Sequence, residues 1–346
     1  MRVVVVGGTG NIGTSVISAL VPEPAVTSIL GVARRRPDWH PDKTEWATAD
    51  VATSDLTELF QGADVVIHLA WLFQPTHNPR VTWRTNVTGS RRVFEAVARA
   101  NVPALIYASS VGAYSPRPQD DRPVTEDYPT HGGWPTASYA VEKAYVERLL
   151  DIFERDHGGV RVVRMRPGFM FKRDSAAEQM RLFGGPLVPK RLVRPGAIPI
   201  VPDIPGLRFQ ALHSDDAGEA YRLAVTRQVS GAFNLAADPV IRPPDLARLL
   251  GARLVPVPRT VARGVLAAAW AARLVPASPY LMDMALHIPL LDVTRARTEL
   301  GWTPRYTGIE AMQALFDGLQ GGAGGATPPL EAVKRPAIRP GTGSRP

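Results

Sequence analysis

The stretch VVVVGGTGNIG, residues 3–13, decides the fold. Four consecutive valines are β-branched and uninterrupted, which suits a strand buried on both faces rather than one with a wet side. Glycines end the run, and NIGTSVISALV (11–21) continues with apolar residues at helical spacing. Gly8, Gly10 and Gly13 satisfy G-x-G-x-x-G, and Gly7, Gly10 and Gly13 satisfy G-x-x-G-x-x-G. A glycine run alone is weak evidence. Between a strand and a helix it has the context a dinucleotide-binding turn requires. Glycine permits the tight turn and lets main chain approach a pyrophosphate, while the free amides of a helix start favour an anion. Gly7, Gly8, Gly10, Asn11, Ile12 and Gly13 are therefore candidate cofactor contacts.

Outward from this turn, strand and helix patterns alternate. TSILGVA (27–33), TEWATADV (44–51), ADVVIHLA (63–70), PALIYASS (103–110) and VRVVRMRP (160–167) read as strands. DLTELF (55–60), capped by Asp55 or Ser54, TNVTGSRRVFEAVARA (85–100) and TASYAVEKAYVERLLDIFERD (136–156) read as helices. Repeated strand–helix–strand units predict an α/β fold with a Rossmann-type, doubly wound parallel sheet. After Pro167 prolines and glycines become frequent. FQALHSDDAGEAYRLAV (209–225) and GAFNLAA (231–237) return to strand and helix, and 243–318 reads as short helices. The expected organisation is a dinucleotide-binding domain over 1–167, rejoined by 208–237. A smaller, mostly helical substrate domain takes 168–207 and 238–318, and a disordered tail takes 319–346.

The bulk numbers fit this picture. The chain has 346 residues, 45% hydrophobic and 21% charged, and no cysteine, which excludes disulfides, thiolate metal sites and a cysteine nucleophile. MRVVVVGG lacks the pattern of a signal peptide. VARGVLAAAWAARLV (261–275) carries two arginines and is too short to span a bilayer, so a mostly buried helix is expected. The net charge of +8 is spread over the chain, densest between Arg161 and Arg194, without a nucleic-acid motif. A cytoplasmic protein acting on a small molecule is expected, with no nucleic acid, no membrane span, and a homodimer left open. The seven histidines show no metal-ligand spacing. His68 reads as a packed core residue. His213, before Ser-Asp-Asp, reads as part of a helix start capped by Ser214 or Asp215.

Enzymes that prefer NAD usually place an acid at the end of the second strand, on the adenosine ribose. Here GVARRRP puts Ala33 at that place, followed by Arg34, Arg35 and Arg36. Arginines pair with a 2′-phosphate through charge-assisted bonds, so NADP(H) is the expected cofactor and NAD(H) the alternative. YAVEK (139–143) sets Tyr139 and Lys143 four residues apart, on one face of a helix. A nearby ammonium favours the phenolate of a group whose ordinary pKa is about 10.

With these landmarks in order, the chain resembles the extended short-chain dehydrogenase/reductases of the NAD-dependent epimerase/dehydratase family. The resemblance runs from residue 1 to about 318 and rests on GGTGNIG, ADV (49–51), HLA (68–70), NVTGS (86–90), YASSVGAY (107–114), YAVEK, RPGFMF (166–171), HSDDAGEA (213–220) and DVTRARTELGWTP (292–304). It implies roles. Asp50 and Val51 would contact adenine. Leu69 and Ala70 would lie against the cofactor, and Pro167 with Gly168 would pass the nicotinamide. Ser110, Tyr139 and Lys143 would form the catalytic triad, with Tyr139 and Lys143 also touching cofactor and Asn86 beside them. Tyr139 would exchange a proton with the substrate oxygen as hydride moves, and Ser110 would steady that oxygen.

The chain also departs from the family. Dehydratases carry an acidic pair where this sequence has Val111 and Gly112, which disfavours water elimination. Many sugar-nucleotide epimerases have an asparagine after the Arg-Pro turn, where Gly168 and then Phe169, Met170 and Phe171 stand here. Arg208 falls near the place where relatives grip a diphosphate. The expected function is an NADP(H)-dependent oxidoreductase acting on the carbonyl or alcohol of an apolar substrate. The alternatives are a sugar-nucleotide epimerase and, third, a non-catalytic NADP-sensing protein.

Overall fold

The computed structural model describes residues 1–74, 76–184 and 198–332. Its strands, in chain order, are β1 (Arg2–Val6), β2 (Ser28–Ala33), β3 (Thr44–Thr48), β4 (Val65–His68), β5 (Ala104–Ala108), β6 (Arg161–Pro167), β7 (Phe169–Phe171), β8 (Ile200–Asp203), β9 (Ala211–His213), β10 (Gly231–Leu235) and β11 (Arg253–Pro256). The helices are α1 (Asn11–Leu20), α2 (Thr57–Phe60), α3 (Pro79–Trp83), α4 (Gly89–Arg99), α5 (Ser138–Asp156), α6 (Ala176–Gln179), α7 (Ser214–Thr226), α8 (Pro243–Leu250), α9 (Arg259–Ala271), α10 (Pro279–His287), α11 (Thr294–Thr298) and α12 (Gly308–Gly321). A π-turn, Arg84–Thr88, joins α3 to α4.

The expected doubly wound sheet is present. Seven strands pair in parallel in the order β10-β6-β5-β4-β1-β2-β3. The chain runs outward from β1 to β3, then returns to β4 on the other side of β1. This reversal opens a crevice at the C-terminal ends of β1 and β4, where open α/β sheets bind ligands. The valine run behaves as its sequence demands. Val3 and Val5 pack on one face with Val16, Ile17, Ala220 and Tyr221, while Val4 and Val6 pack on the other with Val93, Val97, Val146 and Leu150. None of the four valines is more than 1% exposed.

The later segments are divided differently from the expectation. β9 pairs with β7 in a separate two-stranded ribbon, whereas α7 returns against α1 and β10 edges the main sheet beside β6. Ala296, Leu300 and Trp302, grouped by sequence with the substrate segments, pack instead in the sheet core. The Trp302 indole there donates to Asp216 O at 2.8 Å. An apolar indole with one polar handle needs both a dry site and an acceptor, and α7 supplies the acceptor. Ala176, Ala211, Ile241, Leu250, Met312 and Phe316 form a second cluster.

Three further expectations are corrected. Disorder from 319 onward does not hold over 319–332. There α12 continues to Gly321, the Thr327 hydroxyl donates to Thr9 O at 2.7 Å, and Leu330 is 1% exposed. The buried Leu330 side chain, the Thr327 hydrogen bond and the Arg181 guanidinium, which donates to the carbonyls of Pro329 and Glu331, dock a segment that has no periodic pattern. Residues 333–346 lie outside the described residues, as do 185–197, which include Arg191 and Arg194. The cap of α7 is neither Ser214 nor Asp215. It is His213, whose Nδ1 accepts from the Asp215 amide at 3.3 Å, because the helix begins one residue earlier than the cap expectation assumed. The helix over 261–275, expected to be mostly buried, appears as α9 without one fully buried residue. Val261 and Val265 are more than half exposed. Among the described residues no helix is long and apolar enough to cross a membrane.

Candidate active site

The crevice holds a cleft of about 560 Å³. Its first wall is main chain. β1 ends at Val6 and the chain turns at Gly7, whose φ of +86° suits glycine. A Cβ on Gly13 would lie 2.4 Å from Gly7 O, so the start of α1 rests directly on the turn. Gly10 caps α1 without a side-chain bond, which leaves first-turn amides to find other acceptors. One acceptor is the Glu178 carboxylate, on the Asn11 amide. The Asn11 side-chain oxygen is buried without a partner. A turn where a Cβ at Gly7 or Gly13 would clash, a helix start without a side-chain cap and an orphaned amide oxygen together fit a dinucleotide pyrophosphate.

Along this wall lie Arg34 and Arg35 after β2, Asp50 and Val51 after β3, and Leu69 and Ala70 after β4. Gly7, Gly10, Asn11, Ile12 and Gly13 line the same cleft. Gly8 and Pro167 do not. Gly8 backs onto Ile17 and Trp46, and Pro167 is buried in β6 with Gly168 reaching the cleft in its place.

Tyr139 and Lys143 sit one turn apart at the start of α5, facing Ser110. Ser110 opens a short 3₁₀ turn, with its Oγ accepting from the Gly112 amide at 3.0 Å, and it hydrogen-bonds Tyr139. Burial pushes the Tyr139 hydroxyl up to about 12, against the pull of Ser110. Gly112 passes so close to the Tyr139 ring that a Cβ there would fall 2.9 Å from it. The acidic residue found here in dehydratases would collide with the ring in this arrangement. Lys143 is 3% exposed and donates to Ala108 O at 2.6 Å, and its ammonium lies 3.5 Å from the centre of the Trp71 ring. Burial drives its pKa well below the ordinary lysine value, with Glu147 and Glu142 opposing.

Asn86 does not reach the cleft. Fully buried behind it, Asn86 bonds the main chain of Leu72 and the carboxylate of Glu142. His68 is likewise a core residue, 2.9 Å from Ser90 Oγ; burial and then Lys143 push it down to about 3.

The far wall is side chain. Phe73 stacks on Tyr139 at 5.0 Å and 12°, Trp71 meets it edge-on at 5.8 Å, and Phe183 meets Phe73 edge-on at 5.8 Å. Leu266, Leu281 and Met284 complete this end with Phe169, Met170 and Phe171. Arg208, expected near a diphosphate, is 4% exposed; it bonds Asp121 at 3.0 Å and donates to Ile288 O at 2.9 Å.

Sequence reasoning missed several groups. Trp71 and Phe73 lie in AWLF (70–73), which reads only as the end of a strand. Glu147 is wholly buried, bonded by Ser109 at 2.5 Å and paired with Arg164 and Arg166. Burial alone would raise Glu147, but Arg166, Arg164 and Ser109 outweigh it and hold it at about 2. Arg164 and Arg166, at alternate positions of a β6 whose other interior residues are apolar, were the available signal.

Over residues 3–236 the chain matches the model of the NAD dependent epimerase/dehydratase family. An uncharacterised protein of Mycobacterium tuberculosis is 26% identical over 327 residues. The match covers 94% of this chain, yet the chain spans only 31% of that relative's length. L-arabinose 1-dehydrogenase (NAD(P)(+)) of Haloferax volcanii is 29% identical over 195 residues, 52% of this chain and 71% of the relative. Among solved structures, UDP-glucose 4-epimerase of Thermotoga maritima with UDP-glucose superposes with a TM-score of 0.70 at 19% identity. That match covers 93% of this chain and 99% of the other. At that identity the likeness is one of fold.

Proposed function

Because the chain belongs to the NAD-dependent epimerase/dehydratase family, we propose that it is an NADP(H)-dependent oxidoreductase acting on a carbonyl or alcohol in an apolar substrate. One observation carries this reading: the aromatic and aliphatic enclosure of Tyr139 by Trp71, Phe73, Phe183, Leu281 and Met284. A sugar ring presents hydroxyls that such a wall cannot pair, and unpaired buried hydroxyls are costly. The engagement of Arg208 by Asp121 and Ile288 O supports the same reading, since it occupies the cation a diphosphate would need.

In this proposal Gly7, Gly10, Asn11 and Gly13 hold the pyrophosphate of the cofactor. Arg34 and Arg35 hold its 2′-phosphate, and Asp50 and Val51 border the adenine. Bound cofactor supplies the hydride, or accepts it in the reverse direction. Tyr139, protonated at neutral pH by virtue of its raised pKa, donates its proton to the substrate oxygen. Ser110 donates a hydrogen bond to that oxygen as charge develops on it. Lys143 lies on the same helix face, 5.9 Å from the Tyr139 ring centre, and in its charged form offsets the phenolate left behind. A protonated tyrosine favours the reductive direction. Segments 168–207 and 238–318 contribute the substrate side of the cleft through Phe169, Phe183, Leu266 and Met284.

The test is stoichiometric. NADPH absorbance is followed beside product for a panel of apolar aldehydes, polycyclic ketones and UDP-sugars. One NADPH consumed per apolar alcohol formed is the expected result. Turnover of a UDP-sugar with no net change in absorbance would establish an epimerase instead.

A further inference from the structure

Glu142 lies between Tyr139 and Lys143 in sequence, is 2% exposed, and takes no part in the chemistry above. Its two carboxylate oxygens are both engaged. The Thr82 hydroxyl donates to Oε1 at 2.6 Å and Asn86 Nδ2 donates to Oε2 at 2.6 Å. Asn86 in turn clamps one residue of the loop after β4 from both sides. Its Oδ1 accepts from the Leu72 amide at 2.7 Å, and its Nδ2 donates to Leu72 O at 2.8 Å. Leu72 is flanked by the two rings that press on the proton-transfer pair. Trp71 sits 3.5 Å from the Lys143 ammonium, and Phe73 stacks on Tyr139.

From this chain of contacts we infer that Glu142 is a positioning residue: it orients Asn86, which fixes the Leu72 main chain and so sets Trp71 and Phe73 against Lys143 and Tyr139. The inference rests on the reading of Tyr139 and Lys143 as the proton-transfer pair. The amide of Asn86 has two N–H donors and one carbonyl oxygen. One donor and the oxygen are used on Leu72. The second donor needs an acceptor in a fully buried place, and Glu142 Oε2 supplies it, which admits a single orientation of the amide. Asn86 itself is held on the π-turn Arg84–Thr88, and Glu142 on the same helix as the pair it serves. The circuit runs from α5 through Asn86 to the loop and, by the contacts of Trp71 and Phe73, back to α5.

A glutamine can rebuild this circuit without the charge. Its oxygen would accept from Asn86, and its amide would donate to Thr82 Oγ1, whose own proton already has a second acceptor, Pro79 O at 3.0 Å. Leucine cannot. The experiment compares Glu142→Gln, Glu142→Leu and Asn86→Ser in the full chain by two readouts. Hydrogen exchange at the Leu72 amide needs no substrate. Steady-state turnover uses NADPH with 4-nitrobenzaldehyde as an apolar probe. Glu142→Leu should speed exchange at Leu72 at least about tenfold. It should also lower kcat about 10–100-fold, the scale of a misplaced reacting group, and leave KM for NADPH within about twofold. Glu142→Gln should keep most of the protection and turnover. The double variant Glu142→Leu/Asn86→Ser should be no worse than the poorer single, since both break one circuit. Wild-type exchange and kcat in Glu142→Leu would overturn the inference. So would a Glu142→Gln as damaged as the leucine variant, which would assign the effect to charge beside Lys143. If Glu142→Leu does not fold, Asn86→Ser decides alone: unchanged exchange at Leu72 overturns the inference. If the wild type leaves 4-nitrobenzaldehyde untouched, the catalytic reading is in question while the exchange arm still judges the clamp.

Discussion

The two ends of the cleft are built from different materials. At the cofactor end the wall is main chain: the Gly7 turn, the start of α1 and the ends of β2, β3 and β4. No Cβ fits at Gly13, so residue type there follows from backbone geometry. At the substrate end the wall is side chain, from Trp71 and Phe73 on the loop after β4, Phe183 on a second π-turn, Met180–Gly184, and Met284 on α10, segments far apart in sequence. A main-chain wall admits little variation and suits a constant ligand. A side-chain wall can be rebuilt by single substitutions, so specificity belongs there.

The sharpest way to break this comparison is Tyr139→Phe. The hydroxyl is lost while the ring that packs on Phe73 and over Gly112 is kept. Turnover should fall about 10²–10⁴-fold, the worth of positioned proton transfer, and NADPH binding measured by fluorescence titration should stay unchanged. Loss of both together would mean that the two ends do not act separately.

The next effect belongs to the cofactor end. Arg34→Ala or Arg35→Ala removes a cation beside the end of β2, where Ala33 has replaced the acid. A charged hydrogen bond contributes about 1.5–3 kcal/mol, so NADPH should bind roughly tenfold or more weakly in at least one of the two variants, with NADH unaffected. Equal affinity of the wild type for both cofactors would remove the basis for the NADP(H) assignment.

The same contrast explains what could be read from the chain. β1 and its glycine turn were legible because a continuous valine run and a Cβ-free turn have few other uses. The doubly wound parallel sheet followed from repeated strand–helix units. Trp71 and Phe73 were not legible, because nothing local says which way a loop aromatic points once a strand ends. Glu142 and Glu147 are charged residues on a helix, and only tertiary packing against Asn86, Arg164 and Arg166 shows them buried. The docking of 322–332 rests on Thr327, on Leu330 and on Arg181 reaching the carbonyls of Pro329 and Glu331, in a glycine- and proline-rich stretch with no period to detect.

The smallest expected effect sharpens the account of the cofactor end. The Glu178 carboxylate accepts from the Asn11 amide, at the helix start where a pyrophosphate would be held. Burial pushes its pKa up to about 7, with Arg181 and then Lys172 opposing. Below that pH the carboxyl is neutral and offers the pyrophosphate no repulsion. Above it the carboxylate is charged and competes with the ligand for the same donor. Dinucleotide affinity should therefore fall as pH rises through 7. With one proton involved, the change between pH 6 and pH 8 is at most about tenfold. NADH is the proper ligand for the titration, because the 2′-phosphate of NADPH itself titrates near 6, as phosphate monoesters do. Glu178→Gln should flatten the profile at the tighter, low-pH value. A wild-type affinity for NADH that does not change from pH 6 to pH 8 would show that Glu178 leaves the helix start at no electrostatic cost.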